Sequence, residues 1–383
     1  MCPLVTPVAV LAKVLPFSVV ALLAGQASVP TEPANALLKS ASDALAAGRN
    51  TEAAEAFKKI LAVDSNLPDG YVGLGVALAR LGRYPDAIAT FQEGIRRAPG
   101  NPALHYNLGV VHQAQGHYDE AAAEYREAIR TKPQFVDALS NLALVYGRLG
   151  RFADVIDACE SLLRVTPGSA LAHYTKGWAL SRLDRWTEAA DAYNRALAID
   201  ARYADASVAL AVAYSQLGRE EKAIDTLHAA IGLQPNRADA HVALGASYGN
   251  LGRWDKAAAE FETAIGLDPG VAAAHYNLGR AYAKLARRED AIAAYAKAIR
   301  IDRDYGEAHF NLGLAYADAD RYADAIAQYK EALRVRPDYV AARFNLALAL
   351  LATGQRAAAL DEERALRLVN ANLADQLHRL ISR

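Results

Sequence analysis

Cysteine is nearly missing from this chain, with two in 383 residues. Two thiols cannot build a disulfide framework or a cysteine-rich metal site, so packing must hold the fold. An excess of either charge is also missing, because 42 Lys and Arg face 43 Asp and Glu. That balance removes the basic footprint of a nucleic-acid binder. There is no long run of one sign that would make a charged tail. No phosphate-binding Gly loop, nucleophile–base pair or metal-ligand spacing occurs. The residues therefore give no reason to expect an enzyme, a cofactor or a bound metal.

What the chain does have is a period of 34 residues, running from Ala34 to near the C-terminus without an insertion or deletion. Stepping from Gly109 in both directions gives Ala41, Gly75, Ala143, Gly177, Ala211, Gly245, Gly279, Gly313 and Ala347, all of them Gly or Ala. A second register holds Ala in nine of ten copies, with Val155 as the exception. A third register is mostly aromatic: Phe57, Phe91, Tyr125, Tyr193, Phe261, Tyr295 and Tyr329, with Cys159, Leu227 and Glu363 as departures. Self-similarity at this period marks a repeated supersecondary unit.

The copy from Pro102 to Phe135 shows what the unit is. Leu104, Leu108, Val111 and His112 have helical spacing, and Gly116 follows them as a helix stop. From Tyr118 a second stripe carries Ala121, Ala122, Tyr125, Ala128 and Ile129, and Pro133 ends it. Each repeat is thus two antiparallel helices joined by a tight turn. The recurring Gly of the first helix implies close approach of its partner, since Gly there costs about 1 kcal/mol relative to Ala. On this reading Gly279→Leu overpacks the pair, and Gly279→Ala is mild because Ala41 and Ala143 share the register.

The Asn-Leu-Gly triplets at 107–109, 277–279 and 311–313, with the turns Gly82-Arg83-Tyr84, Gly116-His117-Tyr118 and Gly252-Arg253-Trp254, resemble the tetratricopeptide repeat (TPR) family. The resemblance covers about nine tenths of the chain. It implies an all-α fold, a right-handed TPR superhelix (α-solenoid) of about ten helix-turn-helix repeats with a C-terminal capping helix. The expected division is 1–33 signal peptide or membrane anchor with a short linker, 34–373 ten repeats, and 374–383 the end of the capping helix. Of biochemical function it implies little, because one fold serves many processes.

Residues 14–24 are apolar, preceded by Lys13 and followed by Gly25-Gln26-Ala27. This resembles a secretory signal with a cleavage point after Ala27. An uncleaved anchor is the second reading, although a span of about 20 residues must take in Thr6, Lys13, Pro16 and Ser18. A cytoplasmic protein with an unusual N-terminus is the third. Periplasmic or secreted export, or membrane attachment through this segment alone, is the expectation.

His105, His173, His241, His275 and His309 share one register. Helix axes about 8–10 Å apart keep successive copies from converging on one ion. A packing role is expected, as it is for Cys159, which reads as a small buried hydrophobe. The Arg row in the turns has two readings, an anion-binding edge or, as expected here, polar turn residues often followed two or three places later by Asp or Glu.

In TPR-like solenoids repeat positions 2, 5, 6, 9 and 13 line the concave groove. Position 6 here holds Asn107, Asn141, Asn277, Asn311 and Asn345, interrupted by Thr175, Ala209 and Ala243. An Asn offers both a donor and an acceptor, so a row of them can pair with an extended peptide backbone of any sequence. This row resembles the Asn ladder of O-linked N-acetylglucosamine transferases. Position 5 adds Tyr106, Tyr174, Tyr276, Phe310 and Phe344. The other reading of the Asn row is bonding within its own repeat or to the next helix. A chaperone-type clamp is not indicated: position 2 is often acidic (Asp69, Asp137, Asp205, Asp239, Glu307), which disfavours acidic C-terminal peptides. The leading expectation is a non-enzymatic scaffold for a protein or peptide. Two alternatives stay open: an accessory subunit recruiting substrate to a separate enzyme such as a glycosyltransferase, and a solenoid that assembles with itself as a homo-oligomer.

Overall fold

The computed structural model describes residues 32–382, with side chains from residue 36. The expected signal or anchor lies outside the described residues. Among the described residues there are twenty-one helices and no strand. None of these helices is long and apolar enough to cross a membrane.

The chain divides into two compact units at Tyr203. The N-terminal unit has five helix pairs: α1 (Glu32–Ala46) with α2 (Asn50–Val63), α3 (Pro68–Arg80) with α4 (Tyr84–Arg97), α5 (Pro102–Ala114) with α6 (Tyr118–Thr131), α7 (Val136–Arg148) with α8 (Phe152–Val165), and α9 (Ala170–Arg182) with α10 (Trp186–Ile199). The C-terminal unit repeats the plan: α11 (Ala204–Gln216) with α12 (Glu220–Leu233), α13 (Ala238–Asn250) with α14 (Trp254–Leu267), α15 (Ala272–Lys284) with α16 (Arg288–Ile301), α17 (Gly306–Ala317) with α18 (Tyr322–Val335), and α19 (Val340–Ala352) with α20 (Arg356–Arg367). The helix α21 (Ala371–Ile381) closes it, burying Ala374, Leu377 and Ile381.

Every turn inside a pair is closed in the same way. The backbone N–H at the start of the second helix reaches back to a carbonyl of the first, as in His117 to His112 and Arg287 to Tyr282, both at 2.9 Å. This closure is a Schellman motif and needs a left-handed residue just before the donor. Glycine supplies it in seven turns, including Gly116 and Gly252. Asp184, Ala286 and Asp320 adopt the same positive φ without being glycine. A non-glycine residue there carries steric strain of roughly 1–2 kcal/mol, which Asp offsets in part through its short polar side chain.

The expected close approach inside each pair is present, but its partner is specific. A Cβ on Gly109 would lie 2.8 Å from the Tyr125 ring, and one on Gly313 2.5 Å from the Tyr329 ring. Gly stands only where the second helix brings an aromatic ring. Where Ala replaces it, at Ala143, Ala211 and Ala347, the facing residue is Cys159, Leu227 or Glu363. Ala41 is an exception that explains itself: Phe57 instead lies against Gly73, where an added Cβ would meet its ring. The expectation that Gly279→Ala is mild is therefore corrected, because Ala is accommodated in this register only where the ring is missing or turned aside.

Candidate functional site

The predicted site residues fall into two sets. Tyr106 and Asn107 sit on α5, Asn141 on α7 and Tyr174 on α9, all in the N-terminal unit. Tyr276 and Asn277 on α15, Phe310 and Asn311 on α17, and Phe344 and Asn345 on α19 belong to the C-terminal unit.

The Asn side chains first serve their own helices. The Nδ2 of Asn107, Asn277, Asn311 and Asn345 donates to the backbone oxygen four residues earlier, at 2.7, 2.9, 2.8 and 2.9 Å. A bond to a carbonyl oxygen fixes which amide atom is nitrogen. Each Oδ1 therefore faces away from that bond. Asn277 Oδ1 accepts from Arg280 at 3.2 Å. The Oδ1 atoms of Asn107, Asn311 and Asn345 have no partner among the described residues.

Two of the Asn also tie one repeat to the next. Asn311 Nδ2 donates to the Tyr276 hydroxyl at 3.2 Å, and Asn141 Nδ2 to the Tyr106 hydroxyl at 3.4 Å. Asn141 is buried and also donates to the Tyr125 hydroxyl at 3.3 Å. Asn345 follows Phe310, which has no hydroxyl to offer, and makes no such bond. Asn141 thus works inside the structure, and so does the buried Tyr174.

The position-5 aromatics belong to a triad that the sequence reading missed. Tyr276 lies 5.9 Å from Tyr295 and 4.9 Å from Tyr305, centroid to centroid. Phe310 repeats this with Tyr329 and Tyr339, Tyr106 with Tyr125 and Phe135, and Tyr174 with Tyr193 and Tyr203. The tilted geometry is one that aromatic pairs favour. The third ring comes from the last residue of the repeat, in the loop before the next helix. The signal was an aromatic spacing of 29 residues, and the same spacing pairs Ser140 with Ser169 and Val242 with Val271. Burial pushes the Tyr106 hydroxyl up to about 12, and raises that of Tyr276. These rings hold the repeat junction and present only part of their surface.

The His register proves to be a clamp on the preceding loop. His105 Nδ1 contacts Glu124 at 2.7 Å and its Nε2 the Pro99 oxygen at 3.3 Å; His241 does the same with Glu260 and Pro235. Arg343 takes the place of His in the last pair and bonds Glu362 and the Pro337 oxygen. The Glu124 hydrogen bond raises the pKa of His105 against the opposing effect of burial. His173 and His275 have Ala192 and Ala294 where that carboxylate stands, and burial lowers both. Burial likewise pushes the Cys159 thiol up to about 12, leaving it a poor nucleophile. The turn Arg residues pair locally, as in Arg287 with Asp290 at 2.7 Å and Arg151 with Asp154 at 2.6 Å. Among the described residues, no three of His, Cys, Asp and Glu gather into a metal-binding group.

Comparison with known proteins agrees with this architecture. Profiles described as tetratricopeptide repeat match residues 38–102, 182–247 and 242–306, and one described as TPR repeat matches 114–150 and 315–354. No curated protein sequence matches the chain. Among solved structures, a tetratricopeptide repeat protein from Parabacteroides merdae is 20% identical, with 65% of this chain and 98% of that one covered and a TM-score of 0.50. MamA is 28% identical over 42% of this chain and 95% of its own, at a TM-score of 0.41. The Cut9–Hcn1 hetero-tetramer structure is 14% identical, covering 91% and 96%, at a TM-score of 0.49. With profiles of that family matching along most of its length, this chain belongs to the tetratricopeptide repeat family.

Proposed function

We propose that the protein is a non-enzymatic scaffold that binds an extended polypeptide along the Asn face of its C-terminal unit. Membership of a repeat family built for protein contact supports the general role. The observation that carries the specific reading is the common orientation of Asn277, Asn311 and Asn345. Each amide is locked by a bond to its own helix, and each points its Oδ1 the same way, one repeat apart. The Oδ1 atoms of Asn311 and Asn345 have no partner among the described residues and remain open to solvent, so an entering donor can reach them. A peptide N–H would satisfy them whatever its side chains. The exposed parts of Tyr276, Phe310 and Phe344 would add apolar contact beside them. Export through residues 1–27 goes with this proposal, so the polypeptide would be met outside the cytoplasm or at a membrane. The test is to select peptides from a random displayed library on the full chain, with the triple Asn277, Asn311, Asn345→Ala variant as counter-selection. Peptides that prefer the parent support the reading. Peptides recovered equally on both move the site elsewhere.

A further inference from the structure

The fifth repeat breaks the pattern at two places, and the fourth repeat beside it at a third. From the second repeat to the tenth, the residue before the Gly/Ala register is Leu in every copy except the fifth, where it is Lys176. The Leu residues are buried, for example Leu108 and Leu244 at 1% exposure, whereas the Lys176 side chain is 26% exposed. In the fourth repeat Cys159 replaces the aromatic ring, whereas the fifth keeps Tyr193. Ala192 stands where Glu124 and Glu260 supply a carboxylate to the clamp histidine. A cavity of about 510 Å³ lies between α8, α9 and α10 beside Lys176 and Ala192; the equivalent junction at His309, which keeps Leu312, Tyr295 and Gln328 at the corresponding positions, holds a smaller one of about 380 Å³.

The lining is specific. Lys176, Arg164 and Arg195 bring positive charge, and Leu163, Leu180 and Ala192 form an apolar wall. Lys176 Nζ meets Glu160 at 2.7 Å, and an ammonium has two further donors. Arg164 donates to the Ser161 hydroxyl at 2.8 Å, and Arg195 forms no ion pair with a described residue. Of the acidic lining residues, Glu188 is engaged by Arg185 at 2.7 Å, and Asp191 is the one left over. His173, Lys176 and Leu180 are three and four residues apart and so share one stripe of α9, away from Tyr174 and Thr175. Lys176 is thus a partly exposed charge with a single ion-pair partner in a register that is otherwise apolar from the second repeat to the tenth.

We propose that this cavity binds a carboxylate, held by Lys176 and Arg195 beside His173, with its aliphatic stem against Leu163 and Leu180. The entering group takes the place that Glu124 and Glu260 fill from within their own repeats. The eighth repeat is an internal control. His275 also lacks a carboxylate partner, but Leu278 and Gly266 stand where Lys176 and Arg164 do. The cavity lies on the other unit from the Asn face proposed above, and neither reading depends on the other.

The test follows the His173 and His275 ring signals by NMR in the full chain. The probes are glutarate, the blocked tripeptide acetyl-Ala-Glu-Ala-amide, and its Gln analogue. The His173 signal is expected to move saturably with a carboxylate probe and not with the Gln peptide, while His275 stays still. Glutarate alone acting identifies a free small acid as the source; the Glu peptide binding more tightly identifies an acidic side chain. Lys176→Leu and Ala192→Glu each restore what other repeats carry, so both should fold, and each should weaken binding by at least about tenfold. No saturable shift with either carboxylate, an equal shift with the Gln peptide, or unchanged binding in both variants overturns the proposal.

Discussion

A Cβ built on Gly279 would stand 2.6 Å from Cδ1 of Tyr295. Atoms do not approach so closely, and the ring cannot retreat, because it is itself packed against Tyr276. Gly279→Ala should therefore destabilise by roughly 1–3 kcal/mol through overpacking, and Gly279→Leu by more. The double change Gly279→Ala with Tyr295→Leu recreates the Ala211–Leu227 pairing found in the sixth repeat. It should cost less than the sum of its parts. Denaturant unfolding of the four proteins measures this; strict additivity would remove the steric explanation.

Ala286 holds a φ of 59° in a turn where seven other repeats use Gly. Ala286→Gly should stabilise the protein by about 1 kcal/mol, the relief of left-handed strain outweighing the added freedom of the unfolded chain. A denaturation midpoint at or below that of the parent would show that the turn is relaxed as it stands.

The pKa of His105 is raised in the fold, chiefly by Glu124, so the native state holds the proton more tightly than the unfolded chain. The stability this provides is fully present below the unfolded value of about 6.5 and is lost as pH rises through the folded value. The stability gap between the parent and Glu124→Gln should then be largest at mildly acid pH and shrink as the solution becomes alkaline. Urea unfolding across that range checks it. A gap that stays constant with pH would mean that the contact is not charged.

Much of this fold was legible because the chain states its rule ten times. Periodicity placed the helices, and the turn glycines fell where the left-handed closures are. Single side chains were harder. The Gly–aromatic pairing was visible as two registers, but its dependence on the ring at Tyr295 or Tyr329 appears only when the distances are known. Phe135, Tyr203, Tyr305 and Tyr339 lie in loops, where a search for helical stripes does not look. The direction of each Asn amide depends on a rotamer, so neither the bond to the previous turn nor the open Oδ1 could be read from sequence. Lys176 stood in plain view as the odd member of a Leu register, yet its meaning needed the missing carboxylate at Ala192 and the cavity between them.

Residues 1–27 are expected to direct export or to anchor the protein. Mass spectrometry of the protein from its native host, fraction by fraction, checks this. Cleavage after Ala27, or an intact chain in the membrane fraction, agrees with the expectation; an intact chain in the soluble cytoplasmic fraction contradicts it.

The central claim is that the face carrying Asn277, Asn311 and Asn345 holds a peptide backbone. Its most direct test is the affinity of one library-selected peptide for the parent and for the triple Asn→Ala variant, measured by calorimetry beside a melting curve for each. Net hydrogen bonds of about 0.5–1.5 kcal/mol apiece predict a combined loss of roughly 2–4 kcal/mol, with the melting temperature nearly unchanged. Unchanged affinity would contradict the claim, and a collapsed melting curve would show instead that the internal bonds, such as Asn311 to Tyr276, are what these residues are for.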